Sequence, residues 1–341
     1  DRANLVGMLL TTVVRPTIDG PVPLHDIEAP TPGTGKSLLA NIAGILATGT
    51  FAASMTEARD DDEWRKRITA TLRQAPSMIL IDNVRGKVDS PHLSAVLTAS
   101  LWRDREMGKS QALLLPNVAV WVMTGNNPSF SNEMSRRVVR IRLDAAEERP
   151  WERTGFRHDH LDRWVRGRRA ELLSALLTLV RVWLQEGRPA AQVPMGGFES
   201  YAAIIGDILD VVGIRGFLGN RAEIYAQVES ESAAWQALFE AWWEAYKDQR
   251  VAMEKVFDLA KEKQLLTELR SGRTDRGART ALGHELSSLR DRVIGGYAVR
   301  VVGTAHGGGA LYRLEVKKST EKGSPGSPGS PRPPGTKAEE R

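Results

Sequence analysis

The segment Pro30-Thr31-Pro32-Gly33-Thr34-Gly35-Lys36-Ser37 follows an apolar run and opens a helical pattern. Glycines at such a place let backbone N–H groups curl around a phosphate, and the start of a helix adds positive potential. Pro32, Gly33, Thr34 and Gly35 would form the cradle, Lys36 would meet the β- and γ-phosphates, and Ser37 would ligate magnesium. Pro30 stands where the pattern normally begins with glycine. The competing reading is a proline-rich turn before a capped helix, and the strand-to-helix context speaks against it.

A second pattern is Met78-Ile79-Leu80-Ile81-Asp82, an apolar strand that ends in a carboxylate. Beside a phosphate loop, such an acid holds magnesium through water. Asn83 comes next, where many phosphate-loop enzymes place a glutamate. An amide is no useful proton acceptor, so the hydrolytic base stays open. The third pattern is Val118 to Thr124, then Gly125-Asn126-Asn127-Pro128. A strand ending in a polar amide can orient water at a γ-phosphate. Asn126 is the first choice and Asn127 the second, against an ordinary Asn-Asn-Pro turn. In Ser135-Arg136-Arg137-Val138-Val139-Arg140-Ile141-Arg142-Leu143, Arg136 and Arg137 fall at a helix–strand junction. An arginine there can reach a neighbouring subunit's nucleotide. Arg140 and Arg142 alternate with apolar residues, the pattern of an edge strand with one polar, solvated face.

Positioning these groups requires a scaffold. Residues 1–143 alternate short apolar runs (Val22–Ala29, Ser77–Ile81, Val118–Thr124) with amphipathic helices over Lys36–Ala47 and Asp60–Gln74. That alternation predicts a parallel sheet covered by helices, an α/β core over about 1–150. Helical spacing then runs through Leu161–Gln185, read as one long helix, Phe198–Val212 and Ala222–Lys247, giving a helical region over 151–247. Over 251–316, helices at Met253–Lys263 and Ala278–Val293 precede β runs at Tyr297–Val302 and Ala310–Val316, joined by Gly307-Gly308-Gly309. Helix, helix, glycine-tipped hairpin is the order of a winged helix. The last stretch, 317–341, repeats Gly-Ser-Pro three times and reads as a disordered tail.

Composition narrows the classes. The 341 residues are 41% hydrophobic and 26% charged, as a globular chain is. The absence of cysteine excludes a disulfide scaffold, a thiolate zinc site and a cysteine nucleophile. No run of 18 apolar residues spans a membrane and no secretory signal is visible, so a soluble cytoplasmic protein is expected. The chain opens on Asp1 and not on methionine, which reads as a piece of a longer product. A net charge of +5 fits a polyanion partner or a solvated surface equally well. His158 and His160 flank Asp159 without a third ligand at sensible spacing, so a helix-start turn is expected there. The tryptophans at 164, 183, 235, 242 and 243 lie on helical stripes and read as packing.

Taken together, Pro32 to Ser37, Asp82-Asn83, Thr124 to Pro128 and Arg136-Arg137 resemble an additional-strand ATPase of the AAA+ kind. The pattern is most similar to the helicase portion of phage, plasmid and integrative-element primase–helicases, related to superfamily-three helicases. The resemblance covers about 20–145; beyond that only the order of helical lid and winged helix agrees. It implies ATP and Mg2+ bound through Lys36, Ser37 and Asp82, γ-phosphate sensing by Asn126, and Arg136 or Arg137 as a finger in trans. It implies a ring, typically a hexamer, threading single-stranded DNA, with a primase as an upstream domain or a partner. In that family the interval Leu101 to Ser110 carries a channel hairpin, so Arg103, Arg105 and Lys109 would track phosphates; an ordinary solvated charge cluster is the alternative. In the winged helix, Arg290 and Arg292 on the second helix and Arg300 on the wing would contact duplex DNA, unless that module docks a protein. The expected function is an ATP-driven DNA helicase or translocase of a mobile element. The rivals are a nucleotide-gated DNA-binding switch, which Asn83 favours, and a remodeller or loader of other proteins.

Overall fold

The computed structural model describes residues 1–105, 111–189, 194–304 and 310–317. The chain divides into two compact units, Asp1–Glu229 and Ser230–Arg341.

The first unit is built on a five-stranded parallel sheet. Its strands run in the order Ala53–Thr56, Met78–Val84, Val120–Asn126, Leu24–Ala29, Val138–Arg142. The Val120–Asn126 strand is thus inserted between the strand that feeds the phosphate loop and the strand that carries Asp82. Parallel strands buried on both faces read as continuous apolar runs, and Met78 to Ile81 and Val120 to Met123 are fully buried. One face packs Ile79, Ile81, Trp121 and Met123 against Trp64 and Ile68 of the helix Asp61–Leu72 and Leu93 and Val96 of the helix Pro91–Thr98. The other packs Ile27, Leu80, Val120, Val122 and Ile141 against the helices Arg2–Val14 and Lys36–Thr48.

Helix limits follow local chemistry. Asp60 caps Asp61–Leu72 by accepting from the Glu63 N–H at 2.9 Å, with Asp61, Asp62 and Glu63 at the positive end. The phosphate-loop helix Lys36–Thr48 has its last carbonyls covered from outside. The Arg169 guanidinium donates to Ile45 O at 2.8 Å, to Leu46 O at 2.9 Å and to Ala47 O at 3.2 Å. A cation at that end also meets the negative pole of the helix. Arg169 opens Arg169–Gln185, so this contact ties the helical region to the phosphate-loop helix.

The single helix expected over Leu161–Gln185 is two, Leu161–Gly167 and Arg169–Gln185. Arg168 breaks the run at φ −113° and ψ 16°, outside helical geometry. Its apolar spacing survives the break because Leu161, Val165, Leu172, Leu176 and Trp183 all face one core with Leu10, Tyr201 and Ile205. His160 precedes the first of these helices and the His158 ring stacks on Trp164 at 4.2 Å. No metal-binding group of three or more His, Asp or Glu occurs among the described residues. None of the described helices is long and apolar enough to cross a membrane.

In the second unit, Trp235, Leu238, Phe239 and Trp242 of the helix Arg221–Tyr246 share a core with Val256, Phe257, Leu282, Leu286 and Leu314. An antiparallel sheet orders Val251–Ala252, Ala310–Val316, Tyr297–Thr304 and Val293–Ile294. The second helix covers Asp275–Ser288, capped by Thr274, three residues earlier than its apolar spacing suggested. It ends before Arg290 and Arg292, which lie in the turn that follows, so neither is a helical residue. The Gly307–Gly309 tip and the tail beyond Lys317 lie outside the described residues.

Candidate functional site

The glycine-rich loop read from the sequence as a phosphate cradle occupies the turn between the Leu24–Ala29 strand and the Lys36–Thr48 helix. Gly33 and Gly35 both sit at positive φ, +75° and +90°, where a side chain would be strained. Lys36 Nζ folds back on its own loop, donating to Thr31 O at 3.1 Å and Thr34 Oγ1 at 3.2 Å. Partial burial lowers the Lys36 pKa, and the negative charge of Asp82 opposes that shift. An ammonium held by weak neutral acceptors is ready to exchange them for phosphate oxygens.

Asp82 lies at the carboxyl end of its strand, aligned with Thr56. Pairing with the inserted strand breaks between Ile81 and Val84, which turns Asp82 and Asn83 out at the strand end. Two hydroxyls donate to one carboxylate oxygen, Asp82 Oδ1: Ser37 Oγ at 2.7 Å and Thr124 Oγ1 at 2.6 Å. The Asn83 backbone N–H in turn donates to Thr124 Oγ1 at 3.0 Å, with Asn83 at φ +60°. The sensor pattern assigns Thr124 no role, because its link to Asp82 depends on the register of two strands that are distant in sequence.

These residues surround a cleft of about 320 Å³ lined by Pro32 to Leu38, Asp82, Asn83, Thr124 and Asn126. It opens at the carboxyl ends of the strands, where ligands of parallel sheets bind. Asn126 and Asn127 part company. Asn126 faces the cleft, whereas Asn127 Oδ1 accepts from Arg142 Nη1 at 3.1 Å. Ser37 and Asp82 present hard oxygen donors side by side, the donor set suited to Mg2+ shared with phosphates and water.

Arg136 and Arg137 lie between the short helix Asn132–Ser135 and the edge strand. Arg136 is exposed and its side chain has no partner among the described residues. Arg137 is held on its own helix, donating to Glu133 O at 2.5 Å and pairing with the Glu133 carboxylate at 3.1 Å. Arg103 and Arg105 sit on the strand Leu101–Arg105, paired with Ala112–Pro116. They share an exposed face with Leu101 and Leu114, and no described residue pairs with either guanidinium. Lys109 lies outside the described residues. In the second unit, Arg300 is bound to Asp291 and to Glu315, which Arg313 also bonds. Arg290 and Arg292 are exposed.

The polar-face reading of the edge strand holds for Arg142 and fails for Arg140. Arg140 is 3% exposed, donates to Gln227 Oε1 at 2.7 Å, and lies 3.5 Å from Glu28, which is 1% exposed. Arg142 donates to the same Glu28 oxygen at 2.6 Å. The helix Arg221–Tyr246, which bears Gln227, covers this part of the edge strand, and period-2 alternation cannot report such a cover. Beside them, Asp26 is fully buried with neither carboxylate oxygen hydrogen-bonded. Burial, then Glu28, raise its pKa well above the usual carboxylate range, against the pull of Arg140. His25, on the opposite face, is also fully buried and its pKa is lowered to about 3 by desolvation.

No family model and no curated protein matches the chain. Among solved structures it is similar to the SCCmec type IV Cch active helicase, with 10% identity over 92% of this chain and 67% of that one, at a TM-score of 0.33. It is also similar to JCV helicase, with 14% identity over 67% of this chain and a TM-score of 0.28. The chain spans 65% of the length of that JCV helicase chain. Likeness at these levels carries no function across.

Proposed function

We propose that this chain binds ATP with Mg2+ and hydrolyses it to drive movement along DNA, as the helicase part of a mobile-element replication system. The observation that carries the reading is the meeting of Ser37 and Thr124 on Asp82 at the mouth of a cleft floored by the phosphate loop. In this reading Lys36 and the loop amides hold the β- and γ-phosphates. Ser37 and Asp82 hold Mg2+, which neutralises charge on the transferred phosphoryl group. Thr124 fixes the rotamer of Asp82, and Asn126 orients the attacking water. The sheet order, with a strand inserted beside the phosphate-loop strand, supports the additional-strand AAA+ assignment. The helix order and hairpin of the second unit support the winged helix.

A cytoplasmic ring, hexameric as in the resembling families, is the assembly that goes with this reading, and a primase, as a domain or a partner, is what it would work with. Arg136 is the arginine suited to complete a neighbour's site, because Arg137 is already engaged by Glu133. Arg103 and Arg105 would follow single-stranded DNA. Arg290 and Arg292 would meet duplex DNA, while Arg300 enters that role already neutralised by Asp291 and Glu315. A nucleotide-gated DNA switch is the second reading, favoured by Asn83 at the place of a hydrolytic glutamate.

ATP turnover with and without single-stranded DNA separates the readings. A motor shows turnover stimulated by DNA, a switch binds without turnover, and a protein remodeller ignores DNA. Arg136→Ala should lower turnover by about 1,000-fold while keeping nucleotide affinity, and mixing it with Lys36→Ala subunits should restore part of the activity. Full turnover in Arg136→Ala would remove the finger in trans.

A further inference from the structure

A phosphate cradle is half of a nucleotide site; the base needs a flat apolar surface. The cleft itself supplies little of one. Its lining is the loop, Lys36, Ser37, Asp82, Asn83, Thr124 and Asn126, with Leu38 as its large apolar member. Leu38 leaves 41% of its surface exposed, although it sits one residue past Ser37.

The missing surface lies against the outside of the loop. Trp151 belongs to the short turn Pro150–Glu152, anchored by the buried Pro150 and by the Glu152 N–H donating to Arg149 O at 3.0 Å. A Cβ placed on Gly33 would stand 2.9 Å from Trp151 Cβ and 3.2 Å from its ring carbon Cε3. The tryptophan is therefore packed on the loop backbone, and glycine at 33 is what admits it. Yet 56% of Trp151 remains exposed. Its ring stacks on no other ring and lies under no cation among the described residues. A large indole fixed at a phosphate loop, with its surface unspent, has the position and chemistry of a stacking platform.

We propose that Trp151 is the platform on which the base of the bound nucleoside triphosphate stacks, with the exposed side of Leu38 as the second apolar contact. The inference rests on the phosphate-cradle reading. Stacking favours the larger purines and uses no hydrogen-bond pattern, so the ring itself would discriminate little between adenine and guanine.

The test compares ATP with inorganic tripolyphosphate, which offers phosphates and no base, each titrated with Mg2+ against the full chain. Trp151→Ala should weaken ATP about 10-fold and change tripolyphosphate affinity less than 2-fold. Trp151→Phe should restore most of the ATP affinity. Trp151→Leu keeps an apolar side chain on Gly33 without a ring, and decides the matter if the alanine variant fails to fold. ATP should quench tryptophan emission in the wild-type chain, and less in Trp151→Phe. Equal losses for ATP and tripolyphosphate would make Trp151 a support of the loop, and no loss for either would leave it an ordinary exposed residue; both outcomes overturn the platform. If the wild-type chain binds neither compound, the cradle reading itself falls and the platform with it.

Discussion

Two clusters of polar residues occupy the same parallel sheet, and they are built on opposite plans. At the carboxyl ends, Asp82 takes hydroxyl donors from Ser37 and Thr124 and faces an open cleft. On the phosphate-loop strand itself, His25, Asp26 and Glu28 are sealed in protein, with Arg140 from the edge strand beside Glu28. The strongly shifted groups belong to the sealed cluster, where Asp26 is pushed up and His25 down by desolvation. Perturbed titration marks functional sites only where a ligand can enter, and these two residues line no described cleft. Burial alone makes charge expensive. A hydroxyl-bonded carboxylate at an open strand end is what a ligand can use.

The sharpest way to break this contrast is Glu28→Ala. It leaves Arg140 buried without its carboxylate, and the first unit should lose about 3–5 kcal/mol in urea unfolding. A loss near zero would mean that Arg140 finds water. Lys36→Ala is the counterpart in the open cluster. ATP affinity should fall about 100-fold, worth about 2.7 kcal/mol, while the thermal midpoint stays put, because the ammonium bonds only its own loop. Unchanged affinity would sink the phosphate-loop assignment.

The sealed cluster should also show in the pH dependence of stability. Below 6.5 the unfolded chain protonates His25 while the fold keeps it neutral down to about pH 3, so stability falls as pH drops through that window. Asp26 works the other way. Above 3.8 the unfolded chain loses a proton that the fold retains, so stability falls as pH rises. Above about pH 4, for as long as the fold keeps Asp26 protonated, the two slopes oppose, each at most about 1.4 kcal/mol per pH unit. His25→Phe should therefore make stability fall with rising pH across that window, and Asp26→Asn should make it climb. Denaturant midpoints of the two variants at pH 4.5 and 6 check the signs; identical slopes would show that neither residue titrates in the unfolded chain alone.

The open cluster was legible in sequence because its parts are short and local. Eight residues place a glycine-rich turn between a strand and a helix, and an apolar run ending in Asp82 places a strand end. The same logic ranked Asn126 ahead of Asn127, but only the structure shows Asn126 on the cleft and Asn127 turned to Arg142. Of the sealed cluster only the strand was legible: Val22–Ala29 reads as a buried run and Leu24 to Ala29 are all buried, but nothing in Leu24-His25-Asp26-Ile27-Glu28 says what its three titratable groups face. The break at Arg168 was equally silent, because apolar residues three and four apart continue across it on the same face.

Sequence by itself determined most of the alternation of strands and helices in the first unit, the glycine-rich turn whose Gly33 and Gly35 sit at positive φ, and the carboxylate at the end of the Met78–Val84 strand. Those are consequences of local sterics and of which residues a short segment can bury. The tertiary structure alone decided that Val120–Asn126 enters between the loop strand and the Asp82 strand, bringing Thr124 to Asp82. It decided that Arg137 is spent on Glu133 while Arg136 has no partner among the described residues, and that Gln227 meets Arg140 on what reads as a polar edge. The reason is one of geometry. A period of two says which residues share a face, but only long-range packing settles what covers that face and which distant side chain stands across from it.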